Sequence, residues 1–287
     1  MYQSKRLKYA IQFHHEAFNN CDKSTLLTAA IKCILPLWLL LKRANISKYV
    51  TETQATHMGH MQRIRQNLRS TRKEVPLYLQ NLETEGINIK QEQKCGEVYL
   101  MVLDIRRMNG TINTDLTGAF LITSARGNKL IYIACSYEVN GILWEPMKSK
   151  NDSEMSRVFK TVNEKLENRG IKPKSHIMDN EASSTVMSWL EQKKLDAQKV
   201  STHNHRANIA EIMIETAKHH FIAGMAGTDE NYPIQEWDRG VAQSQRTLNI
   251  LRPCRINPKL SADALLEGQH NYNDVPFPPP GMANADI

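Results

Sequence analysis

The stretch that decides the predicted fold runs from H-I-M-D-N-E-A (176–182) to T-H-N-H-R-A-N-I-A-E-I-M-I-E-T-A-K-H-H (202–220). Asp179 ends a short apolar strand, and Glu211 lies 32 positions later (211 − 179 = 32), near the start of a long predicted helix. A third carboxylate, Asp115, lies 64 positions before Asp179 (179 − 115 = 64) in the strand-like run T-I-N-T-D-L-T-G. Two aspartates on strands and a glutamate on a following helix can converge on a pair of divalent cations.

The segments around this stretch alternate between strand and helix patterns, in the order β-β-β-α-β-α-β-α-α. The strands are predicted at 111–123, 130–137, 142–147, 175–179 and 198–202, after a further β-rich run at 98–103, and the helices at 152–168, 182–194, 207–223 and 233–251. Strands joined by short turns pair antiparallel, whereas strands separated by a helix normally pair parallel. We therefore predict an α/β fold: a ribonuclease H-like five-stranded mixed sheet flanked by helices.

The region before the predicted sheet is helical and basic. Residues 1–90 contain 14 Lys and Arg against 6 Asp and Glu (+8), whereas the other 197 residues contain 23 against 24 (−1). Asp22 is predicted to cap one of its helices. The predicted domains are a helical, basic N-terminal extension and linker (1–94), a core (95–252) and a short helix with a Pro-rich tail (253–287). This charge fits an anionic partner such as nucleic acid, and a solvated helical surface explains it equally well.

Cysteine usage and hydropathy limit the class of protein. The five cysteines form no C-x-x-C pair and their count is odd, which is typical of a reduced, intracellular protein. The most apolar run, residues 33–41, contains Pro36 and is nine residues long, whereas a membrane-spanning helix needs about 20 residues. Met1 precedes a polar, basic stretch, so we expect neither a signal peptide nor contact with a membrane.

Each of the three carboxylates also fits an ordinary structural role. Asp115 suits a turn before Gly118, Asp179 suits a helix cap, and Glu211 suits a solvent-facing helix position. Their corresponding places in one β-β-β-α-β-α-β-α order favour a shared site instead. We predict that Asp115 bridges two Mg²⁺ or Mn²⁺ ions, that Asp179 holds one of them and that Glu211 holds the other, as metal-assisted phosphodiester chemistry requires.

The residues around these carboxylates resemble the integrase region of retrotransposon polyproteins, of the copia-like and retroviral DDE polynucleotidyl transferase family. D-L-T-G (115–118) is similar to the D-x-x-G of the family's first aspartate, I-M-D-N (177–180) to the strand-end D-N of its second, and H-R-A-N-I-A-E (205–211) to its N-x-x-E. Segments 59–71 and 248–261 also look like those that flank the family's core. The resemblance covers about residues 25–280.

This resemblance implies metal-dependent 3′-end processing and strand transfer of element DNA into target DNA, with two Mg²⁺ or Mn²⁺ ions per site. It further implies DNA and a second copy of the chain as partners, no small-molecule cofactor, and a nuclear location for an active copy. Lys218 stands where the family often has a DNA-contacting lysine, and His205 and Arg206 precede the helix of Glu211 in a loop that would face DNA. Ordinary solvated polar residues explain all three positions as well.

Arg63, Arg65 and Arg69 lie in a basic connector, residues 56–75, and do not alternate with aromatic residues. They therefore suit phosphate contacts rather than stacking on bases, and a solvated linker is the alternative.

The chain departs from the family pattern in two respects. Glu181 stands where Gly usually follows the D-N pair, and no His-His-Cys-Cys zinc module is recognisable upstream. Two other functions therefore stay open: a catalytically inactive integrase remnant that only binds nucleic acid or assembles, and a hydrolytic ribonuclease H-like nuclease.

Overall fold

Five strands form a mixed sheet at the centre of the structure. They are β1 (Thr111–Leu116), β2 (Leu130–Ser136), β3 (Gly141–Met147), β4 (Ser175–Met178) and β5 (Asp196–Lys199). Their order across the sheet is β3-β2-β1-β4-β5. The pairs β3–β2 and β2–β1 are antiparallel, and the pairs β1–β4 and β4–β5 are parallel. The predicted fold class, a ribonuclease H-like mixed sheet with a helical N-terminal region, is confirmed by this arrangement.

The computed structural model describes residues 2–36, 38–61, 110–178, 184–199, 209–272 and 274–282, and leaves out the side chains of residues 2–4 and 209–211. Within these ranges the helices are α1 (Tyr2–Ala17), α2 (Lys23–Ile31), α3 (Arg43–Tyr49), α4 (Gln54–His60), α5 (Asp152–Asn168), α6 (Ser184–Gln192), α7 (Ile209–Ala226), α8 (Gly240–Leu251) and α9 (Ala262–Leu266), with a 3₁₀ helix at Ile234–Arg239. The β-rich run at 98–103 lies outside the described residues.

Helices cover both faces of the sheet, and the alternation of side chains along β2 assigns each residue to a face. Tyr132 and Ala134 belong to a buried cluster that includes Phe159 of α5 and Leu190 of α6. The intervening residues Ile131, Ile133 and Cys135 instead join a cluster with Ile214, Ala217 and Phe221 of α7 and with Trp237, Val241 and Leu248 that follow it. The sheet therefore has an α5–α6 face and an α7–α8 face.

Several element bounds differ from the predicted ones. β1 ends at Leu116 rather than at 123, and beyond it Ile122 O accepts a hydrogen bond from Trp237 of the 3₁₀ helix. The helix predicted at 152–168 has these bounds in the structure, and Asn151 caps it, since its side chain accepts a hydrogen bond from Glu154 N at 3.1 Å. The single helix predicted over 233–251 is a 3₁₀ helix followed by α8. The fifth strand lies at Asp196–Lys199, and residues 200–202 are outside the described ranges.

The N-terminal helices pack directly on the sheet's helices. α4 crosses α7 so closely that a Cβ at Gly59 would lie 2.4 Å from the Cβ of Ala223, so only glycine fits there. The Asn19 amide, at the end of α1, donates to Ser244 Oγ of α8 at 2.6 Å. The predicted cap at Asp22 is confirmed by its 2.8 Å bond from Ser24 N. The described residues within 1–61 and 105–287 belong to one compact unit, while the predicted boundaries at 94 and 252 stay predictions.

Two buried histidines make the stability of this unit depend on pH. His176 of β4 is fully buried beside Phe159, and neither of its ring nitrogens has a hydrogen-bond partner among the described residues. Burial lowers the pKa of His176 to about 4. Burial and the neighbouring His60 lower the pKa of His220 to about 3, although His220 Nε2 lies 2.9 Å from Thr247 Oγ1.

At these two histidines the unfolded state binds protons below pH 6.5 while the folded state does not, so we expect their contribution to the melting temperature to be complete above pH 6.5 and to fall as the pH drops. For His176 alone the loss is about 2 kcal/mol at pH 5. His176→Leu should therefore reduce the fall between pH 7.5 and 5.0 that thermal melting measures. The matched control is His57→Leu, since His57 is exposed on α4. An equal fall in both variants would contradict the role of His176.

Candidate active site

Asp115 lies one residue before the end of β1. It pairs with Ile133 across the β1–β2 ladder, and directly paired residues of an antiparallel ladder share a face of the sheet. Because Ile133 packs against α7, the half-buried Asp115 side chain lies on the α7–α8 face. Asp115 Oδ1 also accepts a hydrogen bond from the Leu116 amide at 2.7 Å. This local backbone contact is of the kind expected of a turn residue at the end of a strand.

A cavity of about 210 Å³ opens where β1 and β4 end. It is lined by the end of β1 and the residues after it, by β2, by the start of α5 and α6, and by the end of β4: Thr114, Asp115, Leu116, Thr117, Gly118, Tyr132, Lys150, Met155, Phe159, Met178 and Val186. The carboxyl ends of parallel strands are where open α/β sheets commonly bind their ligands. Asp115 thus lies at the place where the sheet topology puts a site.

The polar groups near Asp115 are held in defined charge states. Burial raises the pKa of the Tyr132 hydroxyl, and the negative charge of Asp115 adds to this effect. Burial likewise raises the pKa of the Cys135 thiol to about 12. Both groups are therefore neutral at physiological pH. Among the described residues that line the cavity, Asp115 carries a carboxylate and Lys150 an exposed ammonium group.

The structure describes part of the predicted site. Glu211 is the third residue of α7, and its side chain lies outside the described atoms. Lys218 lies two turns further along α7 and is half-buried. The remaining predicted site residues lie outside the described ranges: Asp179, His205, Arg206, Arg63, Arg65 and Arg69. Convergence of the three carboxylates therefore stays a prediction.

Asp238, which the sequence patterns do not single out, anchors the segment between β1 and β2. Its side chain is fully buried, and its Oδ2 accepts hydrogen bonds from Ser124 Oγ (2.8 Å), Arg126 Nε (3.0 Å) and Asn128 Nδ2 (2.6 Å). Although burial opposes the charged form, these bonds lower the pKa of Asp238. Three partners more than 100 residues away leave no local signal, so the W-D-R pattern at 237–239 resembles an ordinary solvated helix.

Two findings concern metals and membranes. In the described ranges, no group of three or more His, Cys, Asp or Glu side chains is placed to hold a metal ion. Likewise, no helix of the described chain is long and apolar enough to cross a membrane.

No protein-family model matches the chain, and neither does any curated protein. Similar solved structures include the simian T-cell lymphotropic virus intasome in complex with PP2A regulatory subunit B56 gamma, with 14% identity, a TM-score of 0.44, and coverage of 62% of this chain and 59% of that one. They also include the HTLV-2 integrase catalytic core domain in complex with magnesium in its trimeric form, with 13% identity, a TM-score of 0.37, and coverage of 49% and 85%. The chain thus spans less than two thirds of the matched chain in the first of these structures.

Proposed function

We propose that the chain is an integrase-type polynucleotidyl transferase that processes the 3′ ends of element DNA and transfers them into target DNA. The observation that carries this proposal is the position of Asp115. Asp115 lies at the carboxyl end of a central strand and is among the residues that line a cavity of the α5–α6 face, and the β1–β2 register puts its side chain on the opposite face, which α7 covers. That is where a carboxylate on β1, one after β4 and one on α7 can act together.

Asp179 is proposed as the second carboxylate. The β1–β4 ladder pairs Asn113 with Ile177, two residues before Asp115 and Asp179 respectively. Asp179 is bonded to Met178, which lines the same cavity as Asp115, and consecutive Cα atoms are about 3.8 Å apart. Because Met178 packs on the α5–α6 face, the alternation of a strand favours the opposite face for Asp179.

Glu211 is proposed as the third carboxylate. It is on the first turn of α7, the helix that contacts both β1 and β2. Lys218 follows on nearly the same side of the helix and is proposed to contact a DNA phosphate. His205, Arg206 and the arginines Arg63, Arg65 and Arg69 are proposed to make further phosphate contacts, as part of the same hypothesis.

The proposed donor set consists of carboxylate oxygens, which suit Mg²⁺ or Mn²⁺ rather than a thiolate- or imidazole-bound metal. Asp115, half-buried at a cavity with a basic residue at its rim, fits that use. Bound ions of this kind supply activation of the attacking oxygen and neutralisation of charge on the leaving oxygen. The chain's own contribution is to position the carboxylates, to orient the phosphodiester through Lys150 and Lys218, and to keep Tyr132 and Cys135 uncharged beside Asp115.

The proposal also includes a DNA duplex as partner, a homo-oligomer as the working form, and a nuclear location. The basic N-terminal region supports the first of these, since its charge favours a polyanion.

Thermal melting with Mn²⁺ or Mg²⁺, followed by a strand-transfer assay with duplex ends, tests the proposal. Ions that bind the folded state raise its melting temperature. We expect a rise in the wild-type protein with a DNA end bound, loss of that rise in Asp179→Asn, and metal-dependent joining by the wild type alone. Salt-sensitive DNA binding that needs no metal and yields no joining would instead identify an inactive remnant. Cleavage of an RNA–DNA hybrid without joining would identify a hydrolytic nuclease.

A further inference from the structure

The segment 117–129, which connects β1 to β2, begins at the proposed active site. Thr117 and Gly118 line the same cavity as Asp115. Leu121 comes three residues after Gly118, and three residues span at most about 11 Å. The middle of this segment, Leu121 and Ile122, therefore lies within reach of a nucleic acid that occupies the cavity.

The segment is fastened to the 3₁₀ helix along its length. Phe120 stacks on Trp237 with ring centroids 4.5 Å apart, and Trp237 Nε1 donates to Ile122 O at 3.0 Å. Further along, the Ala125 amide donates to Gln235 O at 2.8 Å, before the cluster of bonds to Asp238. A segment held at so many points presents its exposed side chains in fixed positions.

Two of these exposed side chains are large and apolar. Leu121 is fully exposed and Ile122 is 40% exposed, whereas the neighbouring Phe120 packs against the buried Trp237. Single exposed apolar residues are common on protein surfaces. Two in succession, on an anchored segment that starts at the proposed active site, instead indicate a preformed contact surface, which we term the Leu121–Ile122 tip.

Basic residues follow this tip along the chain. Segment 117–129 contains Arg126 and Lys129 but neither Asp nor Glu. Lys148, which is exposed, reaches towards Gly127, whose added Cβ would lie 3.9 Å from Lys148 Cδ. Lys150 continues the positive charge to the cavity. Arg126 is paired with Asp238, whereas the side chains of Lys129 and Lys148 are exposed. An apolar tip framed by lysines is complementary to unstacked bases framed by phosphates.

We propose that the Leu121–Ile122 tip contacts unstacked bases at the end of the DNA duplex, while Lys129 and Lys148 bind the phosphates on either side. Leucine and isoleucine are among the side chains that insert between base steps and unstack them. Opening the terminal pairs gives a phosphodiester near the duplex end the freedom to enter the cavity beside Asp115. This proposal rests on the proposed function and adds to it the element that recognises the DNA end.

Duplex ends carrying 2-aminopurine at each of the last three positions of one strand test the proposal, since this base fluoresces more strongly when it is unstacked. We expect the full chain to raise the fluorescence of at least one position. The double variant Leu121→Ser/Ile122→Ser should remove this rise and keep a similar Kd, because phosphate contacts supply most of the affinity. The matched control is Ile256→Ser, since Ile256 is 65% exposed on another loop. Lys129→Gln should make the salt dependence of Kd less steep by about one unit.

A second readout separates contact with bases from a general effect on structure. Duplexes whose last two pairs are mismatched are already open, so they should restore 3′-end processing by the double variant to the wild-type rate. DNA binding with no fluorescence rise at any position, or an equal rise with the double variant, overturns the base contact but leaves the proposed function standing. A change in oligomeric state instead of fluorescence assigns the tip to a second copy of the chain. Failure of the wild type to bind DNA overturns both proposals.

Discussion

Asp115→Asn is expected to lower metal-dependent strand transfer by more than about 100-fold, because loss of a group that only supports a metal ligand already costs about 10- to 100-fold. The asparagine keeps an oxygen that can accept the 2.7 Å bond from the Leu116 amide. It removes the negative charge that a bridging ligand needs. The metal-free melting temperature should therefore stay unchanged, while the rise that Mn²⁺ produces is lost.

A matched control is available at the other end of the parallel ladder. Asp196 is exposed at the start of β5. Asp196→Asn changes the net charge by the same amount as Asp115→Asn and should leave strand transfer intact. Wild-type activity in Asp115→Asn would show that Asp115 is no metal ligand. Lost activity together with a lower metal-free melting temperature would show that Asp115 supports β1 instead.

The sheet could be predicted from the sequence because its determinants are local. The β-rich runs around Ile133 and Trp144 are bounded by turn residues, and helices between the later strands require parallel pairing. The end of β1 could not be predicted in the same way. Residues 117–123 have strand-like composition, but Phe120 stacks on Trp237, 117 positions away (237 − 120 = 117), and β1 ends at Leu116. A partner so distant in sequence leaves no trace in a local pattern.

The candidate site likewise has features that local sequence predicts and features that depend on tertiary contacts. The order of elements and the resemblance of D-L-T-G to the family's motif selected Asp115 as a candidate, and its place near the carboxyl end of β1 is seen in the ladder. The support around it depends on tertiary contacts. Aspartate is common at exposed helix positions, yet Asp238 is buried. Donors from Ser124, Arg126 and Asn128 replace the water that its carboxylate loses on burial. The approach of α4 to α7 likewise depends on Gly59 and Ala223 being small at one crossing point.

Asp238→Ala is expected to destabilise the fold by on the order of 3 kcal/mol, which corresponds to a fall in melting temperature of roughly 5–10 °C. The loss arises from the buried donors of Ser124 and Asn128, which would be left without their acceptor. Arg126 adds little, since its side chain is 54% exposed and can regain water. Glu230→Ala, at an exposed position of the preceding loop, should leave the melting temperature unchanged.

The same variant should loosen segment 117–129 before the rest of the fold, because local opening starts where few contacts remain. The amides to follow by hydrogen exchange are those of Ala125, bonded to Gln235 O, and Asn128, bonded to Ser124 Oγ at 2.9 Å. Both should exchange faster in Asp238→Ala, whereas Ile133 in the middle of β2 should keep its protection. Residues 117 and 118 line the cavity beside Asp115. Loosening of the segment after the loss of Asp238 would therefore also affect the candidate active site. Unchanged exchange at Ala125 and Asn128 would show that Trp237 and Phe120 hold the segment without Asp238.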